Sequence, residues 1–369
     1  MSKLFTAALL LLTVSVTAAP QIGGSSVTDL GELTTTGGVG LGAAAINDSG
    51  QVILSGVTTP APQTGNAVLW DKGHETDLGS LPPGPDEDGT YSQAYGLNNH
   101  GQVVGSAGSF IAPMMSGMML CRGFLFEQGK LHPMQSKVNT FQPFAINDQG
   151  QIAGRNGFRG FYSAGSQRLP IGTFSHLPAG NASTASALNA TGIVVGWSTV
   201  GGKESGPSLP FHAFQWEAKT RKLRDLGTLP GHRNSYAYAI NAAGQIVGMA
   251  ENEPPTVFGI FGASVTAKEA TGVLWSGKTK TALPPLSGDV GSAAYGINNA
   301  GVVVGQSVDA KGTVRACLWR DKKPVDLNAA VPGGSGWTLT RASAINNRGW
   351  IVGAGTLNGK PHAFLLTPR

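Results

Sequence analysis

Charge is scarce in this chain. Asp, Glu, Lys and Arg make up 13% of its residues, and no run of Lys, Glu or Arg marks an exposed helix. The formal charge of +5 is dispersed along the sequence, so the clustered basic stripe of a nucleic-acid footprint is missing. Cysteine is scarcer still, with 2 in 369 residues. Cys121 and Cys317 fall four repeat units apart in the scheme below, on nearly opposite sides of a ring, which argues against a disulfide between them. Cys317 occupies a strand position held elsewhere by an apolar residue and reads as a small buried hydrophobe. Long apolar runs are missing as well. The run from Leu4 to Leu12, behind Lys3, falls short of the roughly 20 residues a bilayer core requires. It reads as the core of a signal peptide, with Val16-Thr17-Ala18 offering the small-residue pattern for cleavage after Ala18. Residues 1–18 are therefore expected to be removed, and residues 19–369 to form one domain, secreted or periplasmic, monomeric and without stable membrane insertion.

What the chain has is turns and short strands: 54 Gly and 22 Pro accompany no helical periodicity. Self-similarity decides the architecture. A small-residue strand ending in an apolar residue and Asn is followed two variable residues later by Gly, then by a second apolar strand. The instances are Asn47 with Gly50, Asn98 with Gly101, Asn147 with Gly150, Asn189 with Gly192, Asn241 with Gly244, Asn298 with Gly301 and Asn346 with Gly349. Subtracting successive Asn positions gives steps of 51, 49, 42, 52, 57 and 48 residues, too long for solenoid coils and right for propeller blades. Asn at the first corner and Gly at the fourth is type I turn chemistry joining two antiparallel strands. Second strands such as Val103-Val104-Gly105, third strands such as Ala316-Cys317-Leu318-Trp319, and fourth strands such as Asp225-Leu226-Gly227 complete each unit. The third unit is the most degraded.

Four antiparallel strands in each of seven units predict an all-β, seven-bladed β-propeller. The ends fit together. The last unit stops after Phe364-Leu365-Leu366 without a fourth strand, and Val27-Thr28-Asp29-Leu30-Gly31 is an orphan fourth strand before the first unit. Residues 27–33 are expected to complete the last blade and remove its open edge. Two and four positions before each Asn the residue is Ala or Gly, Pro143 excepted, as crowding toward the axis requires. The alternating aromatics, Tyr238 among them, are expected to fill the wedges between blades.

These units resemble the extracellular repeat family named for its His-Ala-Phe signature, which stands intact at His212-Ala213-Phe214 and His362-Ala363-Phe364. The Asp-Leu-Gly-x-Leu-Pro-Gly and Ala-Ile-Asn elements are equally similar, clearest from Asp225 to Gly248, and the resemblance covers essentially the whole mature chain. It implies a bacterial exported repeat protein and carries no established activity or catalytic residues. Other units replace the His with Asn66, Arg122, Thr271 or Arg315, so His212 and His362 read as strand-end hydrogen bonders.

Loop lengths divide the ring into two faces. One carries the Asn-x-x-Gly turns; the other collects the long loops, including 106–121, 197–211 and 249–271, and is where a site is expected. Residues five and six positions before each Asn are expected to ring the channel mouth there: Ser92, Gln93, Gln142, Ser235, Tyr236 and Arg341. With His232 and Trp337 they form a polar and aromatic set suited to a neutral sugar or peptide, Arg341 being able to hold an anionic group. No cofactor is expected. Met114, Met115, Met118 and Met119 with Cys121 form the one cluster with Cu(I) chemistry, weighed against an adaptable apolar loop, and no metal site is assigned. Asp86-Glu87-Asp88-Gly89 lacks the spacing of a calcium loop. Serine-nucleophile elbows, zinc-ligand pairs and phosphate-cradling glycine loops are all missing. The leading expectation is a binding or scaffold propeller for an extracellular glycan, peptide or protein. The alternative is a propeller hydrolase or lyase using His232, His176 or Arg341 with acids from the rim.

Overall fold

The computed structural model describes residues 25–33, 42–55, 65–82, 91–108, 121–134, 140–175, 181–201, 209–252 and 270–368. The segment 1–18, His176, the acidic run 86–89 and the methionines of the 114–119 cluster lie outside them. The described residues build seven four-stranded antiparallel sheets, each a blade. Every innermost strand touches the innermost strands of both neighbouring blades, the last touching the first, so the blades stand in a closed ring.

Each blade begins at the axis with a tight hairpin. The Gly N–H of every Asn-x-x-Gly turn donates to the Asn carbonyl at 3.0–3.2 Å. All seven turn glycines have positive φ, from 68° at Gly150 to 89° at Gly50, a region that only glycine enters freely. Six blades then run outward in chain order. In the seventh the order from the axis is Trp337–Ile345, Ile351–Leu357, Lys360–Thr367 and finally Ser26–Glu32. The N-terminal strand thus supplies the outermost strand of the last blade, with Val27 opposite Leu366 and Asp29 opposite Phe364. Its Leu30 and Leu33 are buried with Val52, Leu54, Val352 and Leu365 between the last blade and the first.

Apolar packing lies between blades. Val247 and Leu274 of blade 5, for instance, close on Ile297, Val303, Cys317 and Trp319 of blade 6. Cys317 and Cys121 are both buried and not joined by a disulfide, and burial pushes the Cys317 thiol up to about 12. Small residues two positions before Asn are needed because inner strands nearly touch across the seam. A Cβ on Gly96 would lie 2.9 Å from the Ala145 Cα.

The Asn side chains do more than make turns. Each Oδ1 accepts the backbone N–H four residues on, at 2.9–3.1 Å. Each Nδ2 donates to the backbone carbonyl of the next blade's Asn: Asn47 to Asn98, Asn98 to Asn147, Asn147 to Asn189, Asn189 to Asn241, Asn241 to Asn298 and Asn298 to Asn346, at 3.0–3.3 Å. Asn346 returns to the Asn47 carbonyl at 2.9 Å. The result is a circular belt of seven buried hydrogen bonds around the axis, each worth about 1 kcal/mol net.

Candidate functional site

Every innermost strand carries a β-bulge at one equivalent place. Pairing with the second strand is regular up to the fourth residue before Asn, skips the third, and resumes at the second. The skipped residues are Ala44, Tyr95, Phe144, Ser186, Tyr238, Tyr295 and Ser343. A bulge breaks the alternation of side chains along a strand, and all seven of these residues line one cavity of about 230 Å³ on the axis. The partner strand accommodates the bulge with glycine. In six blades the Gly that ends Val-Val-Gly or its equivalent lies against it, and a Cβ on Gly248 would collide with the Tyr236 carbonyl oxygen. Blade 1 carries Leu54 there.

Around the axis the bulge side chains fall into two aromatic pairs. Tyr95 and Phe144 meet edge to face with ring centroids 5.2 Å apart, and Tyr238 and Tyr295 sit 5.7 Å apart. Ser186 separates the pairs on one side, Ser343 and Ala44 on the other, so the cavity is a slot between two aromatic walls. Burial raises the hydroxyls of Tyr95, Tyr238 and Tyr295 above the ordinary tyrosine range, most strongly at Tyr238, which keeps all three protonated. The Tyr95 hydroxyl reaches both Gln93 Oε1 at 2.9 Å and Ser106 Oγ at 3.0 Å. Arg341 enters the same cavity, its guanidinium 4.1 Å from the centroid of the Tyr295 ring, a cation–π contact.

The residues expected at the channel mouth do not gather into one site. Arg341 lines the cavity, and Gln93 stands behind it as the partner of Tyr95. Gln142 Oε1 accepts from Arg155 Nη2 at 2.5 Å. Tyr236 is buried, packed against Trp197 and Phe211 at centroid distances of 6.0 and 6.1 Å, and it serves the interior. Ser92 and Ser235 are buried too, each accepting a backbone N–H from the preceding blade, Ala67 and Ala213 respectively. His232 lies in the connection to blade 5, with Nε2 3.3 Å from Thr271 Oγ1. Trp337 packs edge-on against His362 and Phe364 of its own blade. Tyr238 and its counterparts, expected between blades, face the axis instead because the bulge resets the alternation. The signal for them was present: small residues on both sides of one large one, opposite an invariant-looking Gly of the second strand.

No family model matches the chain, and no curated protein matches it. Solved structures do. The β-propeller domain of the trilobed protease from Pyrococcus furiosus is 9% identical, with 91% of this chain and 95% of that one aligned at a TM-score of 0.50. A gluconolactonase from Xanthomonas campestris is 10% identical over 94% and 100% of the two chains, at a TM-score of 0.40. An ulvan lyase is 11% identical over 94% and 95%, at 0.46. The likeness to the protease domain is one of fold, the β-propeller.

The His-Ala-Phe signature has a structural use. His212 Nδ1 lies 2.9 Å from Asp225 Oδ2 on the outermost strand of blade 4, and His362 Nδ1 lies 2.9 Å from Asp29 Oδ1 on the N-terminal strand. In two of the units that replace the His the clip persists, with Asn66 on Asp77 and Arg315 on Asp326. Among the described residues no group of three or more His, Cys, Asp or Glu side chains could hold a metal ion. Among the described residues, neither a His nor a carboxylate lines the axial cavity.

Proposed function

We propose that the chain is an exported binding propeller of the His-Ala-Phe repeat type, and that its ligand, a glycan or peptide group, sits in the axial slot reached from the long-loop face. The observation that carries this reading is the ring of bulge residues. Four of seven are aromatic, grouped in two facing pairs, and they converge with Arg341 on a cavity below the 300–1,000 Å³ typical of drug-sized ligands. Packing alone would favour small or aliphatic residues on a crowded axis. Aromatic faces with hydroxyl edges instead give a ligand both stacking area and hydrogen bonds.

Binding is favoured over hydrolysis or elimination by the composition of that slot. General acid–base work most often uses a His, Asp or Glu side chain within about 3 Å of the reacting atoms, and none is among the described residues that line the slot. Export rests on the apolar run behind Lys3 and the cleavage pattern at Ala18.

The test is a glycan and peptide array probed with the purified protein, its Tyr238→Ala/Tyr295→Ala double variant, and a parallel hydrolase and lyase panel. Binding lost in the double variant, with a silent panel, is the expected outcome. Turnover on the panel, or binding indifferent to the double substitution, would overturn the proposal.

A further inference from the structure

Arg341 brings a cation into the slot, and the described residues that line the slot carry no carboxylate. Arg341 makes no ion pair among the described residues. Its Nε is buried without a hydrogen-bond partner, as are the Tyr295 hydroxyl and Ser186 Oγ, which line the same cavity. Buried polar groups are rarely left so, and three of the residues that line this one cavity each carry one.

The backbone around Arg341 is exceptional among the blades. Six innermost strands have one bulge; the seventh has two, at Thr340 and at Ser343, with Arg341 and Ala342 between them. The same glycine accommodation is repeated for the extra bulge, since a Cβ on Gly355 would lie 2.5 Å from the Thr338 carbonyl oxygen. The Thr340 hydroxyl anchors it by donating to the Ala354 carbonyl at 3.0 Å. The extra bulge skips Thr340 and leaves Arg341 paired with Ala354, the position that Gln93 and Tyr236 hold in their own blades. Glu251 is the buried acid these tyrosines feel, and it raises both Tyr238 and Tyr295. It sits at the far end of its strand, opposite Asn234, outside the cavity lining.

Resting on the proposed binding function, the geometry points to an acidic sugar as the ligand: one pyranose ring carrying a carboxylate, either free or at the end of a polysaccharide. The two aromatic walls would take the apolar faces of the ring, Tyr295, Ser186 and Tyr238 its hydroxyls, and the Arg341 fork its carboxylate. A cavity of about 230 Å³ has room for a single ring.

Calorimetric titration of the full chain tests this with three matched pairs: D-glucuronate, D-galacturonate and D-mannuronate, each against its neutral parent sugar, with benzoate as a planar acid lacking hydroxyls. At least one uronate should bind about tenfold or more tighter than its parent, the effect of one charge-assisted fork. Arg341→Gln should abolish that preference at an unchanged melting temperature. Arg341→Lys, which keeps the charge and loses the fork, should retain part of it. An oligosaccharide ending in the preferred uronate separates the sources: tighter binding than the monosaccharide assigns a polymer end, weaker binding a free acid. Equal affinity for acid and parent, a preference that survives Arg341→Gln, benzoate binding as tightly as the uronate, or no binding of any uronate would each overturn the acidic-sugar assignment. Neutral sugar or peptide binding that is lost in the Tyr238→Ala/Tyr295→Ala variant would leave the slot a binding site and remove only its acid preference.

Discussion

The turn asparagine has two tasks at once. Its Oδ1 shapes its own turn while its Nδ2 crosses the seam to the next blade, so one side chain couples local geometry to ring assembly. Asn298→Ala should lower the free energy of unfolding by about 1–3 kcal/mol for each buried group it orphans, the Asn346 carbonyl and the Val302 N–H among them. Urea denaturation measures it, and a loss under about 0.5 kcal/mol, the range of a neutral surface change, would contradict the belt. The second-strand glycine is as specific. Gly248→Ala places a methyl against the Tyr236 carbonyl and should destabilise by about 1–3 kcal/mol, whereas β-propensity alone would favour Ala over Gly. The turn role of Asn and Gly is legible in sequence because it is local. The seam bond is not, because its acceptor is a backbone atom 42 to 57 residues away in six seams and 299 in the seventh, and no residue type marks it.

Strands and their irregularities decide where side chains point. Counting alternately back from Asn puts Tyr238 between blades; the bulge moves it to the axis. That single skipped residue separates the part of the site legible in sequence, Arg341 and the partner Gln93, from the part that was not, the four aromatics. The outer strands are joined by the His–Asp clips, and the His212–Asp225 clip is pH-sensitive. Burial raises the Asp225 carboxyl, but the His212 hydrogen bond and the Gly227 N–H outweigh it and hold it below the ordinary carboxylate value. A carboxyl depressed in the folded state stabilises above its unfolded pKa and loses that contribution as pH falls through the acid range. Wild type should therefore be more stable than Asp225→Asn at pH 6, with the gap closing by about pH 3. Thermal melts of both proteins across that range check it, and a gap that widens toward acid would contradict the clip.

The whole ring is closed twice by different means. At the periphery the N-terminal strand completes the last blade, a closure readable from sequence because one end of the repeat array lacked the strand the other had in surplus. At the axis Asn346 reaches back to Asn47 over 299 residues. Leu30→Ala, a change in the outermost strand and far from the axis, should cost about 2–5 kcal/mol because that side chain is buried between the first blade and the last. The sevenfold repeat carried the propeller; it could not carry the channel, whose lining depends on bulges invisible to periodicity. The channel can be read directly with fluorotyrosine. The chain has 6 tyrosines, and 19F resonances of 3-fluorotyrosine protein, assigned by single Tyr→Phe changes, report each one. On titration with the ligand that the array returns, the resonances of Tyr95, Tyr238 and Tyr295 should move together while those of Tyr162 and Tyr236 stay fixed. Shifts confined to Tyr91 or Tyr162, with the three axial tyrosines unmoved, would place the site elsewhere and contradict the channel as the seat of function.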